Sequence, residues 1–354
     1  MSPSAPTSTD LTKSRKADHI RINLEEDVAA KGIESGFDDW HFVHRALPEI
    51  DLDHVNLESR LLSHHVSAPL LVSCMTGGTE EARVINTRLA TIAQQRGLAM
   101  GLGSCRVLLE HPDVLPTFDV RRGAPDIPLL ANIGAVQLTR GIGVADCQRL
   151  LDMLRADVLV LHLNPLQEAL QPEGDTTFSG LLDHIETLCR SLGAPVIVKE
   201  VGWGIADDLV TSLLQAGVAA VDIAGAGGTS WSEVERHRMT DPVRRRVAAS
   251  FAGWGIPTTE ALIRARTAAP GAFLIASGGV RSGIDVAKAL ALGADAVGIA
   301  GPLLRAAADG EQALAESVSI ILEELRIAMF CTGAATVSEL WSVARLLRKD
   351  GQFL

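Results

Sequence analysis

From about residue 65 onward the chain alternates between short, almost unbroken apolar runs and longer segments whose apolar residues recur every three or four positions. The apolar runs are Pro69–Ser73, Leu98–Leu102, Pro128–Asn132, Val158–Leu163, Pro195–Lys199, Ala220–Ala224, Phe273–Ala276 and Ala296–Ala300. They lack strict apolar–polar alternation, so they predict strands covered on both faces, as in a parallel sheet. Between them, Ala82, Ile85, Leu89, Ile92 and Ala93 share one helical face of Ala82–Gln95, and Gly97 supplies a stop. Leu181–Leu192 ends in the same way at Gly193 and Pro195, and Ile284–Leu292 at Gly293. Eight such units predict an α/β fold closed into a TIM (β/α)8 barrel rather than an open sheet. Gly217–Gly225 and Gly293–Gly301 align without gaps, each a helix stop, a strand and a glycine. That repeat is barrel grammar and carries no chemistry.

The residues before the first strand divide in two. Residues 1–14, rich in Ser, Thr and Pro, are expected to form a disordered tail. Residues 15–65 read as an extension packed on the barrel, over or beside its mouth and contributing to its site, with the barrel itself over 66–345. Hydrophobic residues make up 47% and charged residues 21%, a globular balance. Tyr is absent, so the core must be built from Ala, Val, Leu and Ile. A net charge of −11 argues against binding of a nucleic-acid duplex, which selects clustered Lys and Arg. Five Cys (74, 105, 147, 189 and 331) show no C-x-x-C spacing, and Met1–Lys16 has no apolar stretch. These features predict free thiols in a cytoplasmic protein. No apolar run reaches membrane-spanning length.

Each apolar run gives way to polar or glycine-rich residues at its carboxyl end, the end where barrels carry their active sites. In order these are Met75–Gly78, Ser104-Cys105-Arg106, Asn132, His162 to Glu168, Lys199-Glu200, Gly225 to Trp231, Ser277 to Arg281 and Ala300-Gly301. Turn chemistry accounts for one or two of them. It does not account for Lys199, because an ammonium in an apolar strand needs a charge partner. Ser277–Gly283 leads into a helix starting near Ile284, and Ala300-Gly301 follows the eighth strand. N–H groups of such a turn and of a helix start suit a phosphate, and Arg281 adds charge.

Other candidates carry less. Gly225-Ala-Gly-Gly is not a dinucleotide fingerprint, which belongs to the first unit of an open sheet. His41, His44, His64 and His65 lack a third ligand at metal-site spacing. Cys74 and Cys105 read as inert buried thiols and Arg244–Arg246 as a solvated helix face.

The chain resembles the type 2, FMN-dependent isopentenyl-diphosphate delta-isomerases from Arg15 to about Leu340. The resemblance rests on Arg15-Lys-Ala-Asp-His19, Met75-Thr-Gly-Gly-Thr79, His162-Leu-Asn-Pro-Leu-Gln-Glu168, Lys199-Glu-Val-Gly202, Asp222 to Trp231, Trp254-Gly-Ile-Pro-Thr258 and Ser277-Gly-Gly-Val-Arg281. It implies that FMN contacts Cys74, Met75, Thr76, Ser104, Asn132, Lys199, Thr229, Gly279, Val280, Arg281, Ala300 and Gly301. It implies a prenyl diphosphate held by Arg15, Lys16, His19, Ser104, Cys105, Arg106, His162, Asn164 and Gln167, with Mg²⁺ on Glu168. Lys199, Gln167 and His162 are the implied catalytic residues, NADPH the reductant that primes the flavin, and a homo-oligomer (tetramer or octamer) the assembly. One position departs from the family: Gly103-Ser-Cys-Arg106 stands where the family reads Gly-Ser-Gln-Arg. A thiol there removes a donor and an acceptor, which leaves a relative acting on another prenyl diphosphate as an alternative. A non-catalytic flavin-binding protein is a further one. FMN-dependent 2-hydroxy-acid oxidases share the Gly-Gly-x-Arg turn but place a His-Gly pair after the sixth strand. Here no His follows until His237.

Overall fold

The computed structural model describes residues 8–351. Its centre is a closed barrel of eight parallel strands: β1 (Leu70–Val72), β2 (Ala99–Gly101), β3 (Leu129–Gly134), β4 (Val158–Leu163), β5 (Val196–Glu200), β6 (Ala220–Asp222), β7 (Leu274–Ala276) and β8 (Ala296–Ile299). Every one lies within an apolar run expected to be a strand, or overlaps it to within two residues. The helix expected over Ala82–Gln95 spans Glu80–Arg96, started by the Thr79 hydroxyl accepting from the Ala82 N–H and stopped by Gly97 at φ 60°. The two repeat glycines, Gly217 and Gly293, take φ 91° and 110° and turn the chain into β6 and β8.

Alternation along the strands sorts the barrel interior into layers. Leu71, Ala99, Leu130, Val158, Val160, Ile197, Ala220, Ile275 and Ala296 pack together as one apolar cluster inside the barrel. Two residues further on, the inward positions become Ser73, Gly101, Asn132, His162, Lys199, Asp222, Ser277 and Gly298. A dry floor therefore lies beneath a polar layer at the carboxyl ends, where loops open to a ligand.

Two matching clamps hold the opposite end. Arg121 donates to the carbonyls of Arg155, Ala124 and Ile127 and pairs with Asp157, which also accepts from the Leu129 N–H. Arg266 donates to the carbonyls of Gly293, Pro270 and Ala272 and pairs with Asp295, which accepts from the Leu274 N–H. Each Arg thus collects carbonyls that would otherwise go unpaired where the chain enters β3–β4 and β7–β8.

The amino-terminal extension wraps the barrel instead of lying on one face of it. A helix over Ser8–Glu25 reaches the mouth. Trp40–Phe42 pairs antiparallel with Leu346–Arg348, so the folded unit extends past the expected boundary at 345. The hairpin Ser59–Leu61/His64–Val66 inserts Leu61 and Val66 into the barrel's apolar floor and plugs the end away from the mouth. Of the tail expected over residues 1–14, residues 1–7 lie outside the described residues. The helix begins at Ser8, inside the expected tail.

Candidate active site

One cavity of about 400 Å³ opens at the carboxyl ends of the strands, within the range of sites for small organic ligands. Its lining comes from all eight strand ends and from the amino-terminal helix. The sites expected on the strand ends converge there: Cys74, Met75 and Thr76 after β1, Ser104 and Arg106 after β2, Asn132 in β3, and His162, Asn164, Gln167 and Glu168 in and after β4. Lys199 of β5, Thr229 after β6, Gly279, Val280 and Arg281 after β7, and Ala300 and Gly301 after β8 complete the ring. Arg15, Lys16 and His19 descend from the helix above.

Cys105 does not reach the cavity. Its thiol is fully buried and donates to the Gly103 carbonyl at 3.1 Å, while its N–H donates to the Asn132 carbonyl. Burial pushes the thiol up to about 11, and it pushes Cys74 up to about 12, so both stay protonated and unreactive. The thiol that departs from the family pattern thus lies behind the wall of the cavity.

The phosphate turn is built differently from expectation. The first N–H groups of helix Gly283–Ala291 are already taken: Asp285 accepts from Arg281 and Ser282, and Glu324 accepts from Gly283 at 2.6 Å. The residues of these turns that line the cavity include Gly279, Val280 and Gly301, which starts the helix Gly301–Asp309. Arg281 stays beside them, its guanidinium donating to the Gly227 carbonyl at 3.1 Å. Of the two helix starts in the seventh and eighth units, the one at Gly301 borders the cavity with its first N–H groups not claimed by side chains.

The opposite half of the cavity is cationic. Lys16 donates to the Ser104 carbonyl at 2.9 Å and lies over the Phe118 ring. Burial holds its ammonium down to about 8. Arg106 donates to Gln137 at 3.0 Å, and Arg15 reaches Gln171 at 3.3 Å. His162 sits among these cations and Lys199, its Nδ1 2.8 Å from Asn132 Oδ1. Burial first, then Lys199, Arg106, Arg15 and Lys16, hold its pKa down to about 3, so the ring is neutral. Asp175 lies 3.6 Å from Arg106 and Glu173 4.0 Å from Arg15, and the cluster as a whole keeps a demand for a multivalent anion.

That demand has a stability consequence. His162 takes up a proton near pH 6.5 when unfolded but only near 3 when folded, so its contribution is complete above 6.5 and is lost as pH falls toward 3. We expect His162→Gln to remove about one proton's worth of this slope, roughly 1.4 kcal/mol per pH unit. Urea unfolding at pH 7 and pH 5 measures it; equal slopes for both proteins would contradict the assignment.

A buried hydrogen-bond chain that the sequence did not announce ties the helix to β4. Glu235 Oε1 lies 3.0 Å from His19 Nε2 and accepts from Gln167 Nε2 at 3.0 Å, while Arg238 donates to Oε2 at 2.6 Å. Asn164 then donates to Gln167 and to Glu168, both at 3.0 Å. The other Glu168 oxygen accepts from the Asp175 N–H at 2.6 Å. His19 also meets Trp231 edge-on. Glu235 had no signal in the sequence, because its partners lie 216 and 68 positions away. Ser73, Asp222, Ser277 and Gly298 were legible in principle, two positions beyond apolar inward residues.

The residues present suit a phosphorylated flavin. Ser73 Oγ is buried without a partner beside the cavity, and a Cβ on Gly298 would lie 2.6 Å from that oxygen. Lys199 belongs to the polar layer, and the glycine-rich turn Gly278-Gly279 lines the same cavity. For a metal, the described residues hold no group of three or more His, Cys, Asp or Glu that could bind one. Glu168 alone suits an ion that takes one carboxylate and fills its shell with water and substrate oxygens, as Mg²⁺ does.

Barrel, polar layer and anion turn define an FMN-binding (β/α)8 enzyme, and residues 154–346 match the FMN-dependent dehydrogenase family model. The chain belongs more narrowly to the type 2 isopentenyl-diphosphate delta-isomerase family, and it is an isomerase. It is 51% identical over 340 residues to isopentenyl-diphosphate delta-isomerase of Nostoc sp., covering 96% of this chain and 97% of that one. It is 50% identical over 335 residues to the enzyme of that name from Rickettsia akari, covering 95% and 98%. Among solved structures, an oxidised active mutant of (S)-mandelate dehydrogenase superposes with a TM-score of 0.67 at 18% identity, covering 95% of this chain and 97% of that one. A mandelate oxidase gives 0.63 at 18% identity, covering 96% and 99%. These two share the fold. His237 lies outside the cavity lining, with Nδ1 3.7 Å from Glu26.

Proposed function

We propose that this protein converts isopentenyl diphosphate to dimethylallyl diphosphate in isoprenoid biosynthesis, with FMN in the barrel mouth and Mg²⁺ on Glu168. The observation that carries this reading is the joining of two halves in one cavity. A glycine-rich half runs from Lys199 to Gly279–Arg281 and Gly301, and the other half is lined by Arg15, Lys16, Arg106 and the neutral His162.

The reaction adds a proton to one alkene carbon and removes one from another, through a cation-like state with no net redox change. Reduced FMN, primed by NADPH, supplies an electron-rich ring with acid–base capacity beside the alkene. The chain's own residues do the rest. Arg15, Lys16 and Arg106 neutralise the diphosphate, and His162 offers its unprotonated Nε2 toward it or a bound water. Asn164 and Gln167, fixed through Glu235, orient the substrate, and Gln167 holds a polar group beside the shifting protons. Lys199 places a positive charge where the reduced ring carries electron density. Glu168 would hold Mg²⁺, which would supply further positive charge for the diphosphate. The amino-terminal helix closes the mouth over these groups and excludes water.

Five free thiols support a cytoplasmic enzyme, and none of the described helices is long and apolar enough to cross a membrane. We also infer a homo-oligomer, supported by Val243, Val247 and Trp254, which stand exposed along and just after the helix Pro242–Ala249 that carries Arg244–Arg246.

The test is an anaerobic assay of the purified protein with reduced FMN, Mg²⁺ and isopentenyl diphosphate. Dimethylallyl diphosphate is the expected product; flavin-loaded protein that forms none would reject the reading. Glu168→Gln is expected to cut turnover at least about 100-fold, the loss of one charged contact of about 3 kcal/mol, while leaving bound flavin intact. Flavin lost along with turnover would count against the metal role.

A further inference from the structure

Among the inward residues of the polar layer, one has no part in the binding scheme above. Asp222 of β6 is buried, 1% exposed, and does not itself line the cavity. A carboxyl group in that position would be costly without a compensating partner. Its partners are specific. Ser277 Oγ donates to Oδ1 at 2.6 Å and the Ala224 N–H at 3.3 Å. In the parallel ladder Asp222 stands directly beside Lys199, and alternation points both side chains inward.

Lys199 has only one other carboxylate close by in sequence, Glu200. That group faces the other side of the strand. Its Oε2 accepts from the N–H groups of Val201 and Gly202, each at 2.7 Å, and from Trp203. Its charge serves the turn after β5, while its backbone carbonyl accepts from the Lys199 ammonium. Asp222 answers the charge of that ammonium through space, without an ion-pair contact.

We propose that Asp222 tunes the flavin through Lys199: its carboxylate is the counter-charge that offsets the Lys199 ammonium beneath FMN and so limits how strongly the site favours the reduced cofactor. The proposal rests on the reading that FMN occupies the barrel mouth. An ammonium with a carboxylate beneath it presents a damped positive charge upward. Without that carboxylate it presents its full charge to the ring, and added electrons become easier to hold.

The experiment is an anaerobic redox titration of bound FMN in the intact holoprotein, read by flavin absorbance. Asp222→Asn is expected to retain FMN and to favour the reduced form about tenfold, which for a two-electron couple raises the midpoint potential by about 30 mV. In a Lys199→Met background the same substitution is expected to change that ratio less than threefold. There the carboxyl, buried without a cation, takes up a proton and leaves nothing for Asn to neutralise. Ser277→Ala removes a donor that disperses the carboxylate's charge, so Asp222 offsets Lys199 more fully and the ratio should move the opposite way, about threefold. An unchanged potential in Asp222→Asn, or an undiminished shift in the Lys199→Met background, overturns the proposal. If Asp222→Asn does not fold, Ser277→Ala decides, and no shift there overturns it too. Wild-type protein that binds no FMN would instead bring down the functional reading beneath it.

Discussion

Replacing Gly278 by Ala is expected to weaken FMN binding at least about 100-fold, close to 2.8 kcal/mol, and to destabilise the protein by a similar amount. Gly278 adopts φ 96°, and a Cβ there would lie 2.1 Å from the Gly225 carbonyl oxygen and 2.7 Å from its nitrogen. Both are backbone atoms, so no flexible side chain can yield; the turn after β7 must separate from the turn after β6. Thr258 pins the same place, its hydroxyl donating to the Gly278 carbonyl at 2.6 Å. Moving that turn displaces the Gly279 and Val280 N–H groups and the Arg281 guanidinium together, and a left-handed φ adds strain of its own. Gly271→Ala is the control, because a Cβ at Gly271 meets nothing within 4 Å. Fluorescence titration of flavin-free protein with FMN measures the effect; equal affinity in the two variants would show that the turn does not hold the cofactor.

The second large effect is expected at Glu235. Burial alone would raise this carboxyl, but His19, Arg238 and Gln167 bring it down to about 2. Glu235→Gln withdraws a charged acceptor from three groups at once, two of which line the site. We expect a loss of about 3 kcal/mol of stability at pH 7 and a fall in kcat/KM of roughly 100-fold. The pH dependence separates this from a packing defect. A carboxyl at 4.5 unfolded and about 2 folded contributes stability that is complete above pH 4.5 and disappears as pH falls through that window toward 2. The gap in unfolding free energy between wild type and Glu235→Gln should therefore be widest near neutrality and narrow below pH 4. A constant gap from pH 7 to pH 3 would mean that the carboxylate's charge is not what matters.

The barrel was legible in the chain because its strands are buried on both sides, so that Val158–Leu163 and Pro195–Lys199 read as continuous apolar runs. The rim was legible because a polar residue at the end of such a run has few other reasons to be there, as with His162 and Lys199. Three things were not. The plug formed by Leu61 and Val66 rests on contacts with strands spread as far as Ala296, and local pattern holds no record of them. Asp285 and Glu324 claim the helix that a glycine turn seemed to offer to phosphate, a competition visible only once the long helix Glu311–Thr332 is packed alongside. Cys105 was named for its place between Ser104 and Arg106, yet side chains in a turn diverge, and its thiol points into the wall. Sequence adjacency located the loop but not the direction of each side chain.

The central claim is that one cavity holds a flavin and a diphosphate in contact, one half contributed by the barrel rim and the other closed by the amino-terminal helix. Its most direct test is a difference-absorbance titration of FMN-loaded protein with isopentenyl diphosphate and Mg²⁺, in the absence of air. The account predicts a saturable perturbation of the flavin bands complete at one equivalent per chain, and weakened by Lys16→Met. Binding detected by calorimetry with no change in the flavin spectrum would place the diphosphate elsewhere and contradict it.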